Sequence, residues 1–117
     1  MEEVHTEKNL TLRVDEQENE VTVHWEGKSS ERDPATFISP ILNGVLSKNK
    51  KIILNFKKLE YMNSSTVTPL LRIMDEIKSS TGSILIVFSR NLKWQELSFT
   101  ALEIFKTPDG RINVVGE

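Results

Sequence analysis

The sequence predicts an α/β fold: an N-terminal β-hairpin followed by βαβ units, giving a mixed, mostly parallel sheet covered by about three helices. Three observations point there. Two short stretches near the N-terminus alternate apolar and polar side chains at period two. Two later stretches, 51–56 and 83–88, are apolar on both faces. Three further segments carry apolar residues at helical spacing. With 117 residues, 38% hydrophobic and 27% charged, the chain has the length and balance of one ordinary globular domain.

Residues 1 to about 8 are polar and acidic and read as a flexible lead-in. Leu10-Thr11-Leu12-Arg13-Val14 and Val21-Thr22-Val23-His24-Trp25 alternate as half-buried strands do, and the polar loop between them suggests an antiparallel hairpin. The connection after Gly27 ends in Asp33-Pro34, an N-cap type followed by a residue suited to the first helical position. Phe37, Ile38, Ile41, Leu42, Val45 and Leu46 then form one apolar stripe, with Pro40 inside it. A proline there removes a hydrogen bond, so the regular helix starts either at Asp33-Pro34 or only at Ser39-Pro40.

The 51–56 stretch reads as a central strand covered on both faces. Asn63, Ser64, Ser65 and Thr66 are all candidate caps for the next helix. Its stripe is Val67, Leu70, Leu71, Met74 and Ile77, and it ends near Gly82. The 83–88 stretch is a second buried-type strand. Asn91 is placed to cap a third helix whose core stripe is Trp94, Leu97, Ala101, Leu102 and Phe105. Pro108-Asp109-Gly110 forms a turn before a final edge strand over 112–115. The order is β-β-α-β-α-β-α-β, and strands alternating with helices argue for parallel crossovers after the hairpin.

Several function classes fall away on composition. There are no cysteines, which removes disulfides, thiol catalysis and thiolate metal sites. The only histidines are His5 and His24, one in the lead-in and one in a hairpin strand, so no serine has a base at hand and no enzyme is expected. The five glycines are scattered singly, so no glycine-rich loop can cradle a phosphate, and neither a cofactor nor a metal site is expected. Net charge is −2 with both signs mixed along the chain, which gives nucleic acid no basic stripe to follow. The longest apolar run, Ile84-Leu85-Ile86-Val87-Phe88, is far short of the roughly 20 residues of a membrane span. The N-terminus lacks the basic-then-apolar pattern of a secretory leader, so a cytoplasmic location is expected.

One segment stands apart. Lys57-Lys58-Leu59-Glu60-Tyr61-Met62 joins a buried strand to Asn63-Ser64-Ser65-Thr66, three consecutive hydroxyls at a helix start. Open α/β sheets bind ligands at this edge, and a helix start presents free N–H groups and the positive end of the helix dipole. Serine and threonine are also common there simply as caps, so residue type alone leaves both roles open.

The stretch from Ile52 to Ser65, with Leu59-Glu60-Tyr61-Met62-Asn63-Ser64-Ser65 at its end, resembles the central segment of STAS domains, the fold of bacterial anti-sigma factor antagonists. In those, a buried strand leads to Asp-Ser-Ser-Gly at a helix start, and the first serine is phosphorylated by a partner kinase. The sequence is closer still to the SiaC-type regulatory phosphoproteins, in which the strand runs into Asn-Ser-Ser or Asn-Thr-Ser. The proline-containing segment Phe37-Ile38-Ser39-Pro40-Ile41-Leu42 is similar to that group as well. By element order the likeness spans nearly the whole chain, and it is sharp over about residues 51–74.

The resemblance places the phosphorylated residue on Ser64, with Ser65 and Thr66 as alternates. Asn63 stands where the antagonists have Asp, and Thr66 where they have Gly. It implies a signalling regulator that binds a protein through Tyr61, Met62, Asn63, Ser64, Ser65 and Thr66 and lets go once phosphorylated. The implied partners are a serine kinase or anti-sigma factor, or a second-messenger enzyme, with a phosphatase to reset the switch. No membrane or nucleic-acid contact and a monomer or weak dimer complete the expectation. The alternatives are a STAS-like module for a small anionic ligand and an unphosphorylated scaffold domain.

Overall fold

The computed structural model describes residues 2–117. Period-two alternation builds the first half of the sheet: in β2 (Leu10–Glu16) and β3 (Glu20–Ser29), Leu10, Leu12, Val14, Val21, Val23 and Trp25 all point inward. β4 (Lys51–Met62), β5 (Ile84–Phe88) and β6 (Ile112–Gly116) follow in parallel, and β2 and β3 pair antiparallel. The sheet has six strands in the order β1-β2-β3-β4-β5-β6, with β4 and β5 inside it and β6 at one edge. This is the α/β architecture that the sequence pattern predicts, a hairpin continued by βαβ crossovers.

The sixth strand is β1 (Glu2–Glu7), antiparallel to β2. The segment expected to be a flexible lead-in is therefore ordered by backbone pairing at the sheet edge. Its side chains are almost all exposed, so it carries no apolar alternation for a sequence reading to find. Lys8, with φ of 54°, makes the tight turn into β2.

Helix α1 (Ala35–Leu46) begins directly after Pro34, which settles the earlier of the two starts, and Pro40 lies within it. Helix α2 (Val67–Lys78) buries Pro69, Leu70, Ile73, Met74 and Ile77. Its C-terminal carbonyls are clamped by Arg111, whose guanidinium donates to the oxygens of Ile77 at 3.0 Å and Ser80 at 2.8 Å while pairing with Asp109. Helix α3 (Lys93–Thr100) runs into a 3-10 segment, Ala101–Phe105.

Two readings of α3 need correction. Leu92, not Asn91, occupies the cap position, and no side chain caps the helix. The buried positions are Gln95, Phe99 and Leu102, while Leu97, Ala101 and Phe105 face solvent. Trp94 is half-buried against the core, its ring 6.3 Å from that of Phe99. Gln95 belongs inside because its amide bridges backbone: it donates to the carbonyls of Phe56 (2.6 Å) and Leu59 (2.8 Å) and accepts from the Ser89 N–H (2.7 Å). A satisfied buried amide costs little, and helical spacing of apolar residues cannot reveal it.

The sequential strand order has a geometric consequence. Right-handed crossovers that always step in the same direction place every helix on the same side of the sheet. Residues from α1, α2, α3 and one face of β2–β6 accordingly form a single core, with a column of aromatic contacts from Trp25 to Phe56 (4.6 Å) to Phe99 (4.7 Å). The central strands are thus covered on one face only, not on both. The other face is open among the described residues, with Arg13, His24, Asn55, Val87 and Val115 in one row across it and Ile53 and Leu85 beside them. On the apolar second face of β4 and β5, which suggested cover by helices, Ile53 and Leu85 are instead half-buried and only Val87 is buried.

Candidate functional site

The site is built where β3 and β4 end side by side. Parallel pairing continues to Lys28 with Tyr61 and Ser29 with Met62, after two register shifts around Glu26 and Gly27. Gly27 makes this possible: its φ is 90°, and a Cβ there would lie 2.0 Å from the Asn9 carbonyl oxygen. Only glycine fits such a close approach in the left-handed region. The long β4 then delivers the chain to a 3-10 turn, Ser64–Thr66, which feeds straight into α2.

Of the four candidate caps, Asn63 is the one used. Its Oδ1 accepts from the Thr66 N–H at 3.1 Å and from the Thr66 hydroxyl at 2.8 Å, and its Nδ2 donates to the Glu31 carbonyl at 2.7 Å. The Asn63 N–H donates to the Ser29 carbonyl at 2.9 Å. Thr66 is fully buried, and its Oγ1 lies 2.7 Å from Ser29 Oγ. A threonine hydroxyl has one proton. Since that proton goes to Asn63, the Ser29 hydroxyl is the donor in the Ser29–Thr66 bond. The network fixes the turn from below, through residues more than thirty positions earlier in the chain.

This sorts the predicted site residues. Ser64 and Ser65 are exposed, and among the described residues neither hydroxyl has a partner. Tyr61 is 48% exposed beside them. Met62 is half-buried and packs against the core, and Asn63 spends its amide on the cap. Thr66 is the correction: with its side chain sealed between Ser29 and Asn63, it offers no hydroxyl to a kinase and no surface to a partner. Ser64 and Ser65, two of the four candidate caps, do not cap the helix, since Asn63 does. Sequence reading missed Ser29 and the Glu31 carbonyl, because only the parallel register of β3 on β4 brings them under the turn.

Neither histidine approaches the serines. His24 lies on the open sheet face opposite Asn55, five positions before Ser29 along β3 and so roughly 16 Å from the turn. Burial, with Arg13 nearby, pushes its imidazole below the ordinary value. His5 sits on β1 at the far edge of the sheet, paired with Leu12. Neither exposed hydroxyl therefore has a histidine beside it. Among the described residues, no three His, Asp or Glu side chains converge as a metal site requires, and no helix is long and apolar enough to cross a membrane.

No family model matches the chain, and no curated protein matches it.

Proposed function

We propose that this chain is a cytoplasmic, non-enzymatic signalling regulator that binds a protein partner over residues 61–65 and releases it when Ser64 is phosphorylated. One observation carries the reading: Ser64 presents an uncommitted, exposed hydroxyl on a turn that its neighbours Asn63 and Thr66 hold rigid. The division of labour matters. A switch residue must be modified without unfolding its surroundings, and here the side-chain hydrogen bonds that hold the turn belong to Asn63, Thr66 and Ser29, while Ser64 contributes only its backbone carbonyl, which accepts from the Val67 N–H. The resemblance to STAS domains and SiaC-type phosphoproteins supports the same position and supplies the partner classes: a serine kinase or anti-sigma factor, or a second-messenger enzyme, with an opposing phosphatase.

A phosphate on Ser64 adds a charge of about −1.5 to −2 at a helix start, where free N–H groups and the dipole favour it. The domain keeps its stability, while a partner packed over the turn must desolvate a dianion. A penalty of about 2–4 kcal/mol weakens the complex roughly 30- to 1,000-fold. Fragment mass mapping of the protein isolated from its own cells tests the assignment. Phosphate on Ser64, together with a partner that binds Ser64→Ala but not Ser64→Asp, is the expected outcome. Phosphate found only on Ser65 moves the switch by one residue. No phosphate on either serine, with undiminished partner binding by Ser64→Asp, removes it.

A further inference from the structure

The third helical segment buries Phe99 and Leu102 as an ordinary surface helix does, but several of its positions run against that pattern. It buries Gln95, yet leaves Ile104 81% and Phe105 45% exposed. Gln95 is fully bonded, so its burial is explained locally; nothing among the described residues explains the exposure of two large apolar side chains beside each other. Across from them on α2, Leu71 is 37% exposed, the one outward-facing apolar residue of that helix's second turn. Between the two walls runs a groove of about 530 Å³, floored by Met74 and Ile112.

The charges on the groove are not balanced. Its lining includes Lys78 and Lys106 against one acid, Asp75. Lys78 has no ion partner among the described residues, and Lys106 meets only Glu103 at 3.7 Å across exposed surface. We infer that this groove is a docking site for an amphipathic helix of a protein partner, apolar on one side and acidic along that side's margin. Shape and charge both favour this occupant. Helix α2 on one side and the 3-10 end with residues 106–108 on the other leave a channel into which side chains at i, i+3, i+4 and i+7 fit, and two cations at its rim complement acidic flanks. A small molecule suits it less, because a drug-sized ligand needs most of its surface enclosed and Ile104 stands almost free in solvent. The groove needs no phosphate on Ser64, although α2 connects the two surfaces directly.

The test uses the whole protein, labelled with 15N, and two peptides of about 18 residues, long enough to form helix. Both carry leucine at i, i+3, i+4 and i+7; one has glutamate along the margins and the other lysine. The expected result is amide shifts confined to 71–78 and 101–106, with the acidic peptide at least about fivefold tighter. Ile104→Lys, a substitution at a solvent-facing position whose fold is checked by thermal melting, lowers that affinity about tenfold or more. Lys78→Glu with Lys106→Glu reverses the preference between the peptides. The inference is overturned by shifts centred elsewhere, by equal affinity for both peptides, or by no binding up to ~1 mM. Groove shifts that grow with protein concentration alone also overturn it, since the occupant is then a second copy of the chain. None of these outcomes depends on the phosphate mapping at Ser64, so either reading can fail without the other.

Discussion

Removing the Thr66 hydroxyl tests how the turn is held. Thr66→Val keeps the shape of the side chain but deletes two hydrogen bonds, the one it donates to Asn63 at 2.8 Å and the one it accepts from Ser29 at 2.7 Å. Asn63 Oδ1 still receives the Thr66 N–H, so its loss is partial. Ser29, only 2% exposed, is left with a buried donor and no acceptor. An unsatisfied buried group costs about 1–3 kcal/mol and a lost bond about 1, giving an expected total of about 2–3 kcal/mol. Ser29→Ala costs less, about 1 kcal/mol, because Thr66 keeps Asn63. The double variant has no stranded hydroxyl, so it is expected to cost about 1–2 kcal/mol less than the sum of the singles. Urea unfolding of all four proteins measures the cycle at constant m-value. Additivity within about 0.3–0.5 kcal/mol would refute the shared network, and Thr66→Val without any cost would refute the burial of the hydroxyl.

Two glycines are expected to respond in opposite directions to alanine. Gly27→Ala forces a Cβ against the Asn9 carbonyl at positive φ and should lower the melting temperature sharply, whereas Gly44, inside α1 with nothing within 4 Å of its Cβ position, should gain about 0.5–1 kcal/mol on the same change. At the β2–β3 end, Lys48 and Lys50 hold the Glu16 carboxyl down at about 2 from its ordinary 4.5. A depressed folded-state value means stability present above about pH 4.5 and lost as pH falls towards 2. Glu16→Gln should therefore flatten the acid limb of a stability–pH curve over that window, and an unchanged limb would show that the ion pairs contribute nothing there.

The strand and helix order was legible because apolar periodicity reports burial, and burial dominates here. What stayed hidden was everything set by partners distant in sequence. Glu2–Glu7 joins the sheet by backbone pairing, which acidic side chains neither announce nor prevent. Ile53, Leu85 and Val87 read as part of a second face covered by helices, but among the described residues no helix packs over them, and they are absent from the core that the helices share with the sheet. Gln95 lies outside any apolar stripe, and it is buried because three backbone groups lie within its reach. At the turn, the sequence offered four equivalent capping residues. Only the placement of Ser29 beneath Thr66 separates the structural pair from the two free serines.

The unbroken strand order bears on how the chain assembles. Every strand pairs with the one made just before it, so no strand waits for a segment from the far end of the molecule. Parallel sheets are usually slow to form because their contacts are distant in sequence; here each closure spans a single helix. The sheet can grow by accretion from the hairpin, one βα unit at a time, as synthesis proceeds. At each stage the exposed growing edge is the newest strand, and the apolar edge of β5 stays open only until β6 arrives.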